Sequence, residues 1–155
     1  MTRRDFLTDS VLGTILGTIN TPTQQANLSS VFKSPEQCND TAYPYIMYGL
    51  LAERRTHAGE TQSNDISSVS KFTVLAYVWS TTDQSEAGLL RQQANKVVDL
   101  IEKAIDNANL SGMLFTDTNG IVNVWNVCVD DITSLPDFGD AMAAVAVNGS
   151  IYWNK

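Results

Sequence analysis

The run from Phe72 to Ile105 constrains this chain most, because a strand pattern there passes into a helix pattern across a marked break. Phe72-Thr73-Val74-Leu75-Ala76-Tyr77-Val78-Trp79 is apolar at nearly every position and rich in β-branched and aromatic residues. That is the composition of a central strand covered on both faces. Thr81 to Glu86 is polar, and Asp83 precedes Glu86 by three positions, so one carboxylate can cap a first helical turn while the other faces the positive end of the helix dipole. Leu90, Ala94, Val97, Ile101, Ala104 and Ala108 follow at steps of three and four. They mark one face of a helix of about six or seven turns, expected over about 84–108. Arg91, Lys96, Asp99, Glu102, Lys103 and Asp106 lie mostly off that stripe. A buried strand therefore feeds an amphipathic helix that packs back on the sheet.

The 155 residues, 43% apolar and 17% charged, suit one globular domain spanning 1–155. A chain of this length buries about 70% of the surface its unfolded form exposes. The net charge of −7 is unevenly placed: residues 113–155 carry one basic and five acidic side chains. Gripping a phosphate backbone needs the opposite balance, so tight nucleic-acid binding is not expected. No run approaches 18 consecutive apolar residues, so no membrane span is expected. Cys38 and Cys128 lack the local pairing of a zinc site. They read first as two thiols in or near the core of a cytosolic protein, and otherwise as one long-range disulfide.

Near the N-terminus, Thr2-Arg3-Arg4-Asp5-Phe6-Leu7 has the look of a twin-arginine export signal. Against that, Phe6 and Leu7, Val11 and Leu12, Ile15 and Leu16, then Ile19 alternate with polar residues or glycine. This spacing predicts a helix over about 3–19 with one apolar face, where an export signal needs an unbroken apolar block. A polar connection covers 21–30, Val31-Phe32 reads as a short strand, and Pro44 delays the next strand until Tyr45. Tyr45, Met47 and Gly49 should face one way, and Ile46, Tyr48 and Leu50 the other. Glu53-Arg54-Arg55 is expected to close that strand. Thr56 to Ser70 then reads as a polar loop that projects, the arm of a large hairpin. Met113–Thr116 and Ile121–Val129 spell a second hairpin around Asn119-Gly120. Asp130–Gly139 reads as a loop, and Ala141–Trp153 as a last strand with Gly149 at a bulge or tight point. The fold class is α+β, a mainly antiparallel sheet with two helices packed on one side and a projecting hairpin arm.

Candidate chemistry is sparse. His57, the only histidine, sits in the polar loop beside Arg54, Arg55 and Glu60, a poor place to hold a base for a Ser-His-Asp site. Asp130 with Asp131, and Asp137 with Asp140, lack the alternating ligands of a calcium loop and read as acidic turns. Tyr43, Tyr45, Tyr48, Tyr77 and Trp79 read as strand aromatics of a core or protein interface. No catalytic, metal or cofactor residue is assigned, and a structural or interaction module is the expectation.

Tyr43-Pro44-Tyr45-Ile46-Met47-Tyr48-Gly49, a polar arm, and Phe72 to Ser80 leading into Glu86-Ala87 and a long helix together resemble the tail completion, or tail terminator, proteins of long-tailed bacteriophages. The likeness spans about Tyr43 to Leu110, and the chain departs from it in the Arg3-Arg4 pair and the long segment from Asp130 to Lys155. The resemblance implies a structural protein, not an enzyme, without cofactors, and a homo-oligomeric ring, usually of six subunits. Such a ring is assembled in the host cytoplasm and carried in the virion at the tail or neck. It caps the tail tube, ends tube polymerisation, and offers a docking surface to the head-side connector, while DNA passes through an acidic lumen without specific binding. Subunit contacts are then expected on the arm, at Arg54, Arg55, His57 and Glu60. Another head-to-tail connector or adaptor ring of the neck, and an exported binding domain, are the alternative readings.

Overall fold

The computed structural model describes residues 2–20, 30–32, 45–56, 67–79, 87–112, 115–117, 122–134 and 142–154. Strands β1 (Ser30–Phe32), β2 (Tyr45–Thr56), β3 (Ser67–Trp79), β4 (Phe115–Thr116), β5 (Asn123–Ser134) and β6 (Met142–Asn154) form one sheet in the order β1-β2-β3-β6-β5-β4. Every pairing is antiparallel except the short parallel contact of β1 with β2. A first helical segment (Arg3–Asn20) and a long helix (Ala87–Leu110) cover the same face, giving the two-layer α+β architecture the sequence predicts.

The first segment is not a uniform α-helix. Its apolar pairs are five positions apart at the start, Phe6 to Val11 and Leu7 to Leu12, and four apart afterwards, Val11 to Ile15 and Leu12 to Leu16. A step of five keeps side chains on one face only if the turn widens, and residues Phe6–Leu12 are a π-helix in which the Gly13 N–H reaches the Thr8 carbonyl. From Gly13 the helix is α and the step of four suffices. All seven apolar side chains, Phe6 through Ile19, are buried as a result. The long helix needs no such adjustment: Ala94, Val97, Ile101, Ala104 and Ala108 are buried, with Val98 and Ile105 beside them. Just past its end at Leu110, Gly112 N–H donates to the Asn109 carbonyl at 3.1 Å, and the φ of 67° at this glycine turns the chain away from the helix.

The strands run further than the polar residues at their ends suggested. β2 continues through Glu53, Arg54 and Arg55 to Thr56, paired with Ser70, Val69, Ser68 and Ser67 of β3, within the stretch read from sequence as closing strand and loop. β5 likewise takes in Asp130–Ser134, so Asp130 and Asp131 lie in a strand and not in an acidic turn. Cross-strand hydrogen bonding overrides side-chain polarity here, because one face of a sheet can stay wet. The inner, helix-covered face holds Ile46, Phe72, Val74, Ala76, Val124, Val127, Val147, Ile151 and Trp153. The described helices leave the outer face of β3 uncovered, and Thr73, Leu75 and Tyr77 there are half-buried.

Three register shifts shape this sheet, at Leu50/Ala52 in β2 and at Val124/Asn126 and Val129/Asp131 in β5. Each bulge adds one residue, Leu51, Trp125 or Asp130, to a strand that otherwise alternates. Gly149 lies opposite the last of them, paired with both Phe72 and Val129. A Cβ at Gly149 would stand 2.3 Å from the Phe72 ring and 2.4 Å from the Cys128 carbonyl oxygen. The tight point foreseen at Gly149 is a place where an aromatic ring and a neighbouring backbone carbonyl leave no room for a side chain.

Candidate functional site: the sheet edges and two polar clusters

Where the first helical segment meets the sheet, a polar seam interrupts the apolar inner face. Arg3 Nη2 donates to Glu53 Oε2 at 2.5 Å, and Arg4 Nη1 lies 3.7 Å from Glu53 Oε1. The Arg3 guanidinium also sits 5.0 Å from the centre of the Trp153 ring. Trp153 Nε1 in turn donates to the buried Ser70 Oγ at 2.9 Å. A capping box fixes the start of the helix, with Thr2 Oγ1 accepting from the Asp5 N–H and Asp5 Oδ2 accepting from the Thr2 N–H. Arg3 Nε and Ser68 Oγ are buried here without a hydrogen-bond partner among the described residues. The arginine pair that looked like an export motif is therefore tied to β2.

The second cluster is on the outer face, across β3, β6 and β5. Lys71 Nζ donates to Asp130 Oδ2 at 2.9 Å and to Ser150 Oγ at 2.6 Å, while Ser150 Oγ donates to Asp130 Oδ2 at 2.5 Å. Asn148 Nδ2 donates to Asp131 Oδ1 at 2.7 Å. The β5 bulge makes this possible by turning Asp130 and Asp131 to the side that carries Cys128. Desolvation pushes the Asp130 carboxyl up, but the hydrogen bonds from Ser150 and Lys71 outweigh it and hold the group below its ordinary value. The same bond to Asp130 raises Lys71 against its own desolvation. Burial, then the charge of Asp130, pushes the half-buried Cys128 thiol up, so it stays protonated and weakly nucleophilic. Cys128 is a free thiol on the uncovered face, not a core residue.

The lateral edges of the sheet are the third feature. β1 pairs only with Tyr45–Met47, leaving the rest of β2 without a neighbour on that side among the described residues. At the opposite edge β4 pairs only with Asn123 and Val124. Three residues further on, Asn109 of the long helix takes the place of a strand: its Nδ2 donates to the Val127 carbonyl, and its Oδ1 accepts from the Val127 N–H at 3.2 Å. Val129–Ser134 has no such cover among the described residues.

Of the four residues expected at a subunit contact, Arg54 is exposed on the open edge of β2, opposite Val69, and Arg55 follows it opposite Ser68. His57 and Glu60 lie outside the described residues, as do Asp137, Asp140 and Cys38. Among the described residues no cluster of His, Cys, Asp and Glu has the makings of a metal site, and no helix is long and apolar enough to cross a membrane. Sequence reasoning passed over Glu53, Lys71, Asn109 and Ser150. The one available signal was the period of two in Ser68, Ser70, Phe72, Val74 and Ala76, which places two serines in strand register ahead of the apolar run.

No protein-family model matches the sequence, and no curated protein does either. A solved structure does: a chain of the "Virion of native gene transfer agent (GTA) particle" matches with a TM-score of 0.54 at 13% identity, over 95% of this chain and 87% of that chain. At this identity the likeness is one of fold.

Proposed function

We propose that this chain is a structural protein of a virion, and that it forms the ring, of six subunits, that caps a tail tube. The observation that carries this reading is the likeness of fold to a chain of a virion particle, which covers 95% of this chain. The resemblance of Tyr43–Ser80 and the following helix to tail completion proteins supplies the finer assignment. The long strands agree with it, since identical subunits close a ring by repeating one heterologous contact, for which two unlike open edges are suited. In this role the ring ends tube polymerisation, presents a surface to the head-side connector, and lets DNA pass through a lumen whose acidic walls do not hold phosphate. The protein works without catalysis or cofactor.

The test is native mass by light scattering over a range of concentrations, with and without purified tail tubes, followed by electron microscopy of the tube ends. A closed ring, alone or formed on tube ends, is the expected result. A protein that stays monomeric and indifferent to tubes overturns the proposal, and a ring that binds portal or head-side proteins but not tubes moves the chain to a neck connector.

A further inference from the structure

We propose that the open edge of β2 in one copy pairs antiparallel with the open edge of β5 in the next, and that Arg54 of one faces Asp131 of the other. This rests on the ring reading above and names the surface that closes it. Four observations lead to it.

The first is exposure. Four large apolar side chains are exposed among the described residues, and three of them are on these two strands: Leu51 at 60% on β2, and Trp125 at 53% and Ile132 at 44% on β5. Edge strands of monomers are usually short, charged or covered. The second is length. Beyond its bulge β2 offers the regular stretch Ala52–Thr56, and beyond its own last bulge β5 offers Asp131–Ser134, so Ala52, Glu53 and Arg54 can pair with Thr133, Ile132 and Asp131 without crossing an irregularity.

Direction is the third. β2, β3, β6 and β5 alternate in sense, so β5 runs opposite to β2. A copy placed beside the first by rotation about an axis tilted to the strands, as in a closed barrel, continues that alternation without a break, and the tilt supplies the stagger between Arg54, which is level with Asn126 across the sheet, and Asp131, which is level with Gly49. Setting Arg54 beside Asp131 also sets Ala52 beside Thr133 and keeps outward-facing residues together, as the period of two requires.

Charge decides between the possible pairings. An isologous β2–β2 contact would bring Arg54 and Arg55 of both copies together, and an isologous β5–β5 contact would do the same with Asp130 and Asp131. Like charges directly across a ladder destabilise it and opposite charges favour it, so the heterologous β2–β5 contact is selected. The Asn109 cap on Val127 confines the free part of β5 to the stretch carrying these acids.

The experiment compares the wild type with Arg54→Asp, Asp131→Arg and the double exchange, by light scattering with and without tail tubes. Both residues are exposed, so the variants are expected to fold, and circular dichroism checks this. Each single reversal should raise the concentration at half-assembly by about tenfold or more, and the exchange should recover most of the loss. Arg54→Cys with Asp131→Cys, in a background lacking Cys38 and Cys128, should cross-link on oxidation into a ladder ending at the ring number. A wild-type ring that neither reversal weakens, or cross-linking of Arg54→Cys alone into dimers, overturns the β2–β5 contact and leaves the ring standing. A wild type that never assembles overturns the ring itself, and the contact with it.

Discussion

The two faces of this sheet solve opposite problems with the same strands. The inner face, under the helices, is held by shape: Phe72 lies on Gly149, Ile151 and Val147 are fully buried, and a polar seam ties Arg3 to Glu53 beside Trp153. The outer face is held by small residues and charge. Ala144, Ala146 and Ser150 are buried there, and Lys71, Ser150 and Asp130 bond across three strands. Packing tolerates little change in shape, whereas an exposed charge network gives way gradually. The same substitution size should therefore have very different costs on the two sides.

The sharpest test is Gly149→Ala. The added methyl collides with the Phe72 ring and with the Cys128 carbonyl, and since the second is backbone the sheet itself must shift. A loss of about 3 kcal/mol is expected in urea unfolding, and Phe72→Leu in the same background should recover part of it. An unchanged midpoint would mean that the inner face is not shape-limited. Glu53→Ala should cost about 2 kcal/mol, because it leaves the Arg3 guanidinium part-buried and unpaired. Adding Arg3→Met should restore stability if that reason is right. Asn109→Ala should cost about 1 kcal/mol and speed hydrogen exchange at the Val127 amide, which loses its acceptor.

The outer face should respond to pH instead. Asp130 is held below its ordinary value of 3.8, so on acidification the unfolded chain takes up this proton first. The contribution is whole above that value and is lost as pH falls through the lower folded one. Lys71 is raised above 10.5, so its share is whole below that value and fades as pH rises through the folded one. The stability difference between wild type and Lys71→Met should be small, flat between about pH 5 and 9, and should fade as pH falls below 3.8 through the lower folded value of Asp130. The smallest effect is chemical: in a Cys38→Ser background, alkylation of Cys128 at pH 8 should be slower than that of a free thiol, and Asp130→Asn should speed it. Alkylation at the free-thiol rate would place Cys128 in a more polar setting than this face provides.

How much of this was legible beforehand depends on whether a residue's role is local. The stripe of the long helix, the start of β2 after Pro44, the short β4–β5 hairpin and the tight point at Gly149 were all readable, since period and turn chemistry act over a few residues. The extents of β2 and β5 were not. Arg54 and Arg55, like Asp130 and Asp131, look like loop residues until a neighbouring strand is known to bond their backbone. The candidate site was half visible. Arg54 and Arg55 stood out in the sequence as polar residues beside a long polar stretch, but their place on an open edge, with acids on the other edge, depends on a strand order that joins β3 to β6 across 62 intervening residues (80 to 141).

By itself, then, the sequence determined the two helices, the strand periodicity and the class of fold, because each follows from the alternation of apolar and polar side chains along a short stretch. Only the tertiary structure decided that the first helix opens into a π-turn to keep seven side chains on one face, and that Glu53 meets the arginine pair. It likewise decided that Asn109 caps Val127, and that bulges turn Leu51, Trp125 and Asp130 out of simple alternation. Those outcomes depend on distances between residues far apart in the chain, which no local pattern encodes and which close packing fixes all at once.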